Sequence, residues 1–234
     1  MSTPILETAG LGHAYGDIVA LQGVDLSVGE GTVGLVGANG AGKTTLIKIL
    51  LGILDATVGD IHVLGGNVRT DTLQIRSHVG YMPEESSLPL SQTAADFLVY
   101  AAELAGIPPR AARQRGSDVL TLVGLHEERF RYMGEFSTGM KQRAMLAQAI
   151  VHDPDLVFLD EPTAGLDPEG REEMLELISR LGSFGINVLV SSHVLTDIER
   201  VCDWVVMLDG GRVLRSGPLS GLVDSGVIEV QVLG

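Results

Sequence analysis

Gly37-Ala38-Asn39-Gly40-Ala41-Gly42-Lys43-Thr44 is the stretch that decides the fold. It follows a short apolar run, Thr32 to Val36, and leads into residues 44–54, where Leu46, Ile49, Leu50 and Ile53 recur at helical spacing. Strand, glycine-rich turn and helix succeed one another, the setting in which G-x-x-x-x-G-K-[ST] binds phosphate. The glycines let backbone N–H groups approach phosphate oxygens without a Cβ in the way, and the helix amino terminus adds positive dipole. Lys43 and Thr44 then address the β- and γ-phosphates and Mg²⁺. The spacing predicts a nucleoside-triphosphate site over Gly37, Ala38, Asn39, Gly40, Ala41, Gly42, Lys43, Thr44 and Thr45.

Far downstream, Leu156-Val157-Phe158-Leu159-Asp160-Glu161 is an apolar strand ending in two carboxylates. Such an end suits one acid on Mg²⁺ and the next beside the γ-phosphate. Asp160 would hold the metal, and Glu161 would polarise the attacking water as general base. Alone, an acidic strand end is also a helix cap or a solvated turn. Its pairing with the loop at Lys43 favours the hydrolytic reading.

Around the two anchors the texture changes. Ile5 to Thr8, the alternating Val24, Leu26 and Val28, residues 61–64 and Val79 to Met82 read as strands. From Ser91, a plausible cap, to about Phe136 the chain reads as helical, with one helix carrying Phe97, Leu98, Ala101 and Leu104 and a second opened by Pro108-Pro109 and running toward Leu125. Strands and helices then alternate: 156–159, a helix over 168–181, a strand over 187–191, a helix after His193, and 204–208. Buried apolar runs separated by helices imply a parallel sheet. Asp209-Gly210-Gly211 suggests a hairpin, and the tail to Gly234 is too short for another domain.

Phe136-Ser137-Thr138-Gly139-Met140-Lys141-Gln142-Arg143 narrows the choice among phosphate-loop nucleotidases. This segment resembles the signature loop, usually LSGGQ, of the ATP-binding cassette family. Ser137 and Gly139 match; Phe136, Thr138 and Met140 depart. A Ser137 hydroxyl, a Gly139 N–H and the positive end of the following helix suit an anion, although the segment alone could be a helix cap. The resemblance covers almost the whole chain. It implies that Tyr15 stacks on adenine, that Ala164-Gly165-Leu166-Asp167 crosses a dimer interface, and that His193 contacts the γ-phosphate and helps hold Glu161 and water. Where the family usually has Gln, this chain has Glu84, in Tyr81-Met82-Pro83-Glu84. A carboxylate there can ligate Mg²⁺ but cannot donate as an amide does.

The resemblance thus implies an α/β fold: a P-loop NTPase core with a parallel sheet, an amino-terminal antiparallel β subdomain and an inserted helical subdomain. It implies one ATPase domain over residues 1–234, with 1–84 and 137–234 as core and 85–136 as the helical insert. It further implies ATP and Mg²⁺ as ligands, a second cassette subunit docked head to tail, and a separate transmembrane permease driven from the cytoplasmic face of the membrane. The segment 83–85 and the signature variant resemble exporter subunits for drugs, polysaccharides or lipids.

Composition sets the outer bounds. Thirty acidic against sixteen basic residues give a formal charge of −14, a field that repels phosphate backbones, so no nucleic-acid partner is expected. Cys202 is the single cysteine, cannot form an internal disulfide, and reads as a small buried residue. The first Lys or Arg is Lys43, so the amino terminus lacks the positive region of a secretory signal. Residues 181–196, the longest stretch without a formal charge, are interrupted by Ser183, Asn187, Ser191, Ser192 and His193, unlike a spanning helix. Lys141 and Arg143 read as a solvated helix face. Two rivals remain. A non-transport cassette ATPase on nucleic acid or ribosomes calls for basic surface or paired cassettes, and a nucleotide-binding module without hydrolysis calls for a missing Glu161 or His193.

Overall fold

The computed structural model describes residues 4–220, in which ten strands and seven helices are seen. The tail beyond residue 220, read above as too short for a domain, lies outside the described residues. The described residues form two compact units, residues 4–69 with 191–220 and residues 70–190.

In the first unit, β1 (Leu6–Tyr15) and β2 (Ile18–Val28) form a long antiparallel hairpin, and β4 (Val58–Val63) and β5 (Gly66–Asn67) complete a sheet of order β2-β1-β4-β5. The hairpin is longer than the expected strand at residues 5–8. Register shifts at Thr8/Leu11, Leu11/His13 and His13/Ala14 disturb the alternation that would have revealed it. The wholly buried β3 (Thr32–Val36) lies parallel to β9 (Trp204–Asp209), which pairs antiparallel with β10 (Arg212–Pro218) through the expected hairpin. Helix α1 (Lys43–Leu50) packs Leu46, Ile49 and Leu50, each fully buried, against β2 and β4.

Helix α1 ends before the predicted Leu54. Gly52, at φ 62°, takes the left-handed conformation that stops a helix cheaply, so Ile53 falls outside it and is 55% exposed. Helix α7 (Leu195–Val201) packs against β3 beside the buried Cys202, whose thiol is pushed far above its ordinary range by desolvation and by Asp203.

The second unit holds α2 (Thr72–Ser77), β6 (Val79–Met82), α3 (Ala94–Leu104), α4 (Pro109–Leu122), α5 (Thr138–Ile150), β7 (Leu156–Asp160) and α6 (Pro168–Ser183). Strand β6 runs parallel to β7, and β8 (Asn187–Ser192) leads back to the first unit. The cap of α3 is Thr93 and not Ser91. Its hydroxyl accepts from the Asp96 N–H at 3.1 Å and donates to the Asp96 carboxylate at 2.7 Å, a reciprocal pairing worth about 1 kcal/mol that Ser91, in the preceding turn, does not make. Helices α3 and α4 pack on each other and on α5. Helical structure is not continuous to Phe136: after α4 come turns and a short 3-10 helix, Met133–Glu135.

Arg115 of α4 donates to the Val151 carbonyl at 2.9 Å and the Ile150 carbonyl at 3.2 Å, and pairs with Asp153 at 2.9 Å. These carbonyls close α5, where a cation also meets the negative end of the helix. The stretch after the signature residues is thereby fastened to α4. No helix among the described residues is long and apolar enough to cross a membrane.

Candidate functional site

In the first unit the loop at residues 37–44 leaves β3 and enters α1, and its shape is dictated by contacts. A Cβ on Gly37 would stand 2.3 Å from the Leu208 carbonyl oxygen. One on Gly42, at φ 104°, would stand 2.8 Å from both the Ala20 carbonyl oxygen and Leu21 Cδ2. Only glycine fits either place without backbone movement. From behind, the Gly211 N–H donates to the Ala41 carbonyl at 3.0 Å, and the Gln22 N–H donates to the Gly211 carbonyl at 2.8 Å. The turn joining β9 to β10 therefore braces the loop.

Over this loop lies Lys43, 6% exposed, whose ammonium donates to the Gly37 carbonyl at 2.7 Å and the Ala38 carbonyl at 3.3 Å. It thus faces the concavity of the turn. Gly42 caps α1 without a side chain, so the first-turn N–H groups emerge unobstructed with Ala38, Asn39 and Gly40 exposed in front of them. A cation, emerging N–H groups and the helix dipole meet at one place, which suits a phosphate chain. Thr44 and Thr45 follow on the first turn, half-buried, with hydroxyl oxygens that suit a hard cation such as Mg²⁺. Two further predicted residues belong to this unit. Tyr15, half exposed, ends β1, and His193, exposed, directly follows β8.

In the second unit Asp160 is the last residue of β7, fully buried, and Glu161 is 5% exposed. Glu161 has φ 49°, a left-handed conformation that costs a non-glycine residue about 1 kcal/mol or more and that clusters at functional sites. Tyr81 on β6 stands in register beside β7, where it pairs with Phe158. Burial, then the carboxylates of Asp160 and Glu84, push its phenol up to about 12. Asp160 and exposed Glu84 thus share the surroundings of one phenol. Hard carboxylate oxygens fit Mg²⁺, yet no group of three or more His, Cys, Asp or Glu arranged to hold a metal occurs among the described residues.

Ser137 caps α5, its Oγ accepting from the Met140 N–H at 3.3 Å, while Phe136 is buried and anchors the turn from below. Gly139 has room: a Cβ there would meet only Leu166 Cδ2 at 3.8 Å. Ser137, Gly139, Arg143, Gly165, Asp167 and Glu173 line a groove of about 370 Å³. Asp167 caps α6 by accepting from the Gly170 N–H at 2.9 Å. Arg143 does not lie on a solvated face as expected. It forms an ion pair with Glu173 across α5 and α6, its side chain only 22% exposed. The sequence reading missed this pair because the two residues lie thirty positions apart on separate helices.

The ABC transporter family model matches residues 21–164, more than half of the 234 residues. An uncharacterized ABC transporter ATP-binding protein of Nostoc sp. is 42% identical over 89% of this chain and 62% of its own length. The bacitracin transport ATP-binding protein of Bacillus licheniformis is 38% identical over 95% of this chain and 72% of its own. The chain therefore spans between 62% and 72% of these two relatives. A solved ATP-binding subunit of an ABC transporter matches with a TM-score of 0.84 at 31% identity, covering 95% of this chain and 93% of that one. The cbiO1 component of a Clostridium perfringens ABC transporter complex matches with a TM-score of 0.86 at 26% identity, covering 96% and 92%. This chain belongs to the ABC transporter family, as one of its ATP-binding domains.

Proposed function

We propose that the chain hydrolyses ATP with Mg²⁺ and so drives export through a separate membrane permease. The observation that carries the nucleotide part is Lys43, nearly buried and folded over the Gly37 and Ala38 carbonyls of a loop that admits only glycine at 37 and 42. In this reading the loop N–H groups and Lys43 bind the phosphate chain, and Tyr15 stacks on adenine. Thr44 supplies a hydroxyl to Mg²⁺, and Asp160, with Glu84, supplies carboxylate oxygens. Bound there, Mg²⁺ neutralises charge developing on the phosphate oxygens. Glu161 accepts the proton of the attacking water as general base, and His193 orients that water and the γ-phosphate.

Ser137 and Gly139 act across a head-to-tail dimer of such subunits, on nucleotide held by the other chain. ATP joins the two subunits and hydrolysis releases them, a two-state element that can drive a permease docked on it at the cytoplasmic face of the membrane. The direction is supported by relatives named for bacitracin transport, linearmycin resistance and Nod factor export. Those same relatives leave the nucleic-acid reading without support.

The test is turnover. Purified chain should release phosphate from ATP only with Mg²⁺, and Glu161→Gln should lower the rate by about 10²-fold or more while nucleotide binding persists. Wild-type chain that binds ATP tightly yet never turns it over, alone or with its co-purified membrane partner, would overturn the proposal.

A further inference from the structure

We infer that His13 is a positioning residue for base recognition, holding the plane of the Tyr15 ring so that it is ready to stack on adenine. The inference rests on the proposed role of Tyr15. His13 is 8% exposed, and neither of its ring nitrogens has a hydrogen-bond partner among the described residues. Burying a polar ring in this way costs stability that an apolar side chain of similar size would not cost. What its position supplies is a ring packed against Tyr15, and the role rests on that contact, not on the nitrogens.

Residues 13 and 15 lie two apart at the end of β1, where the ladder is shifted between His13 and Ala14. The imidazole meets the Tyr15 ring edge to face, centroids 4.6 Å apart and planes at 80°, a preferred geometry for ring pairs. Tyr15 remains 49% exposed, so part of its ring stays open to a ligand. The cross-strand partner of His13 is Leu21, the leucine whose Cδ2 closes on Gly42 of the phosphate loop. The ring pair is therefore built on the strands that also back the phosphate site. A ring already fixed in its binding orientation loses no rotamer freedom when the base arrives, and this preorganisation raises affinity without a new contact. His13 accordingly matters for a ligand that carries a base and not for the phosphate chain alone.

The experiment uses the full chain and measures kcat and KM for ATP, with inorganic tripolyphosphate as a competing ligand that lacks the base. Tyr15→Ala should raise KM. His13→Ala should raise KM about two- to fivefold at unchanged kcat, and His13→Phe, which keeps a ring, should stay near wild type. Inhibition by tripolyphosphate should be equal in all of them. Wild-type KM in His13→Ala while Tyr15→Ala is impaired would overturn the inference and leave base stacking in place. Wild-type KM in Tyr15→Ala would remove base stacking and the inference with it. Weakened tripolyphosphate inhibition in His13→Ala, or His13→Phe as impaired as His13→Ala, would show that His13 does not act by setting the Tyr15 ring, and would likewise overturn it.

Discussion

The loop at residues 37–44 and the turn at residues 136–140 are both assigned to the same phosphate chain, yet they are built in opposite ways. The first is held by backbone. Gly37 and Gly42 each sit where a Cβ would strike a carbonyl oxygen, and the Gly211 N–H braces the loop from behind. The second is held by a helix cap: Ser137 accepts from the Met140 N–H, Phe136 is buried, Thr138 is exposed, and a Cβ on Gly139 would meet only Leu166 at 3.8 Å. A site made by backbone crowding tolerates almost no substitution. A site made by a cap and a dipole needs only its cap and its small residue, so Thr138 and Met140 vary without cost to the fold.

The sharpest way to break that contrast is to place the same methyl group in both. Gly42→Ala forces a positive φ and a contact of 2.8 Å on backbone, and should destabilise the chain by about 2–4 kcal/mol in urea denaturation and abolish ATP binding. Gly139→Ala meets only Leu166 at 3.8 Å and lies in the first turn of a helix, where alanine is favoured. Its urea midpoint should hold or rise while ATP turnover falls about tenfold or more as a donor to the anion is obstructed. Equal stability losses in the two would show that crowding is not what separates the sites. Ser137→Ala should cost about 1 kcal/mol through loss of the cap, together with lower turnover; unchanged stability would count against capping as the basis of the turn. The smallest effect belongs to Thr138→Gly. It brings the segment nearer the family pattern and should change stability by no more than about 1 kcal/mol, since glycine in a helix weakens it, and turnover by less than about twofold.

The same contrast explains what could be read without coordinates. The phosphate loop was legible because its backbone demands leave so few residue types that the pattern is nearly its own explanation. The strand ending in Asp160 was legible for a related reason: burial on both faces makes β7 continuously apolar, and the carboxylates end it abruptly. The signature turn was legible only through its order in the chain, because a capped helix start occurs in many proteins. Spacing alone kept Ile53 in α1, where the left-handed Gly52 had already ended it. It also placed the cap at Ser91 two residues early, since Thr93 competes for the same role and has Asp96 to answer it. The Arg143–Glu173 pair and the His13–Tyr15 pair were invisible for different reasons. One joins separate helices, and the other hides in a strand whose alternation is broken by register shifts.

In the proposed dimer these two dissimilar sites, on opposite chains, close on one phosphate. Sedimentation of the Glu161→Gln chain with ATP and with ADP tests it most directly, because that variant should bind nucleotide and not turn it over. The expected result is a dimer with ATP, a monomer with ADP, and loss of the ATP-dependent dimer when Ser137→Ala and Gly139→Ala are added at undiminished ATP binding. A chain saturated with ATP that stays monomeric, or one whose dimer ignores both the nucleotide and the signature residues, would contradict it.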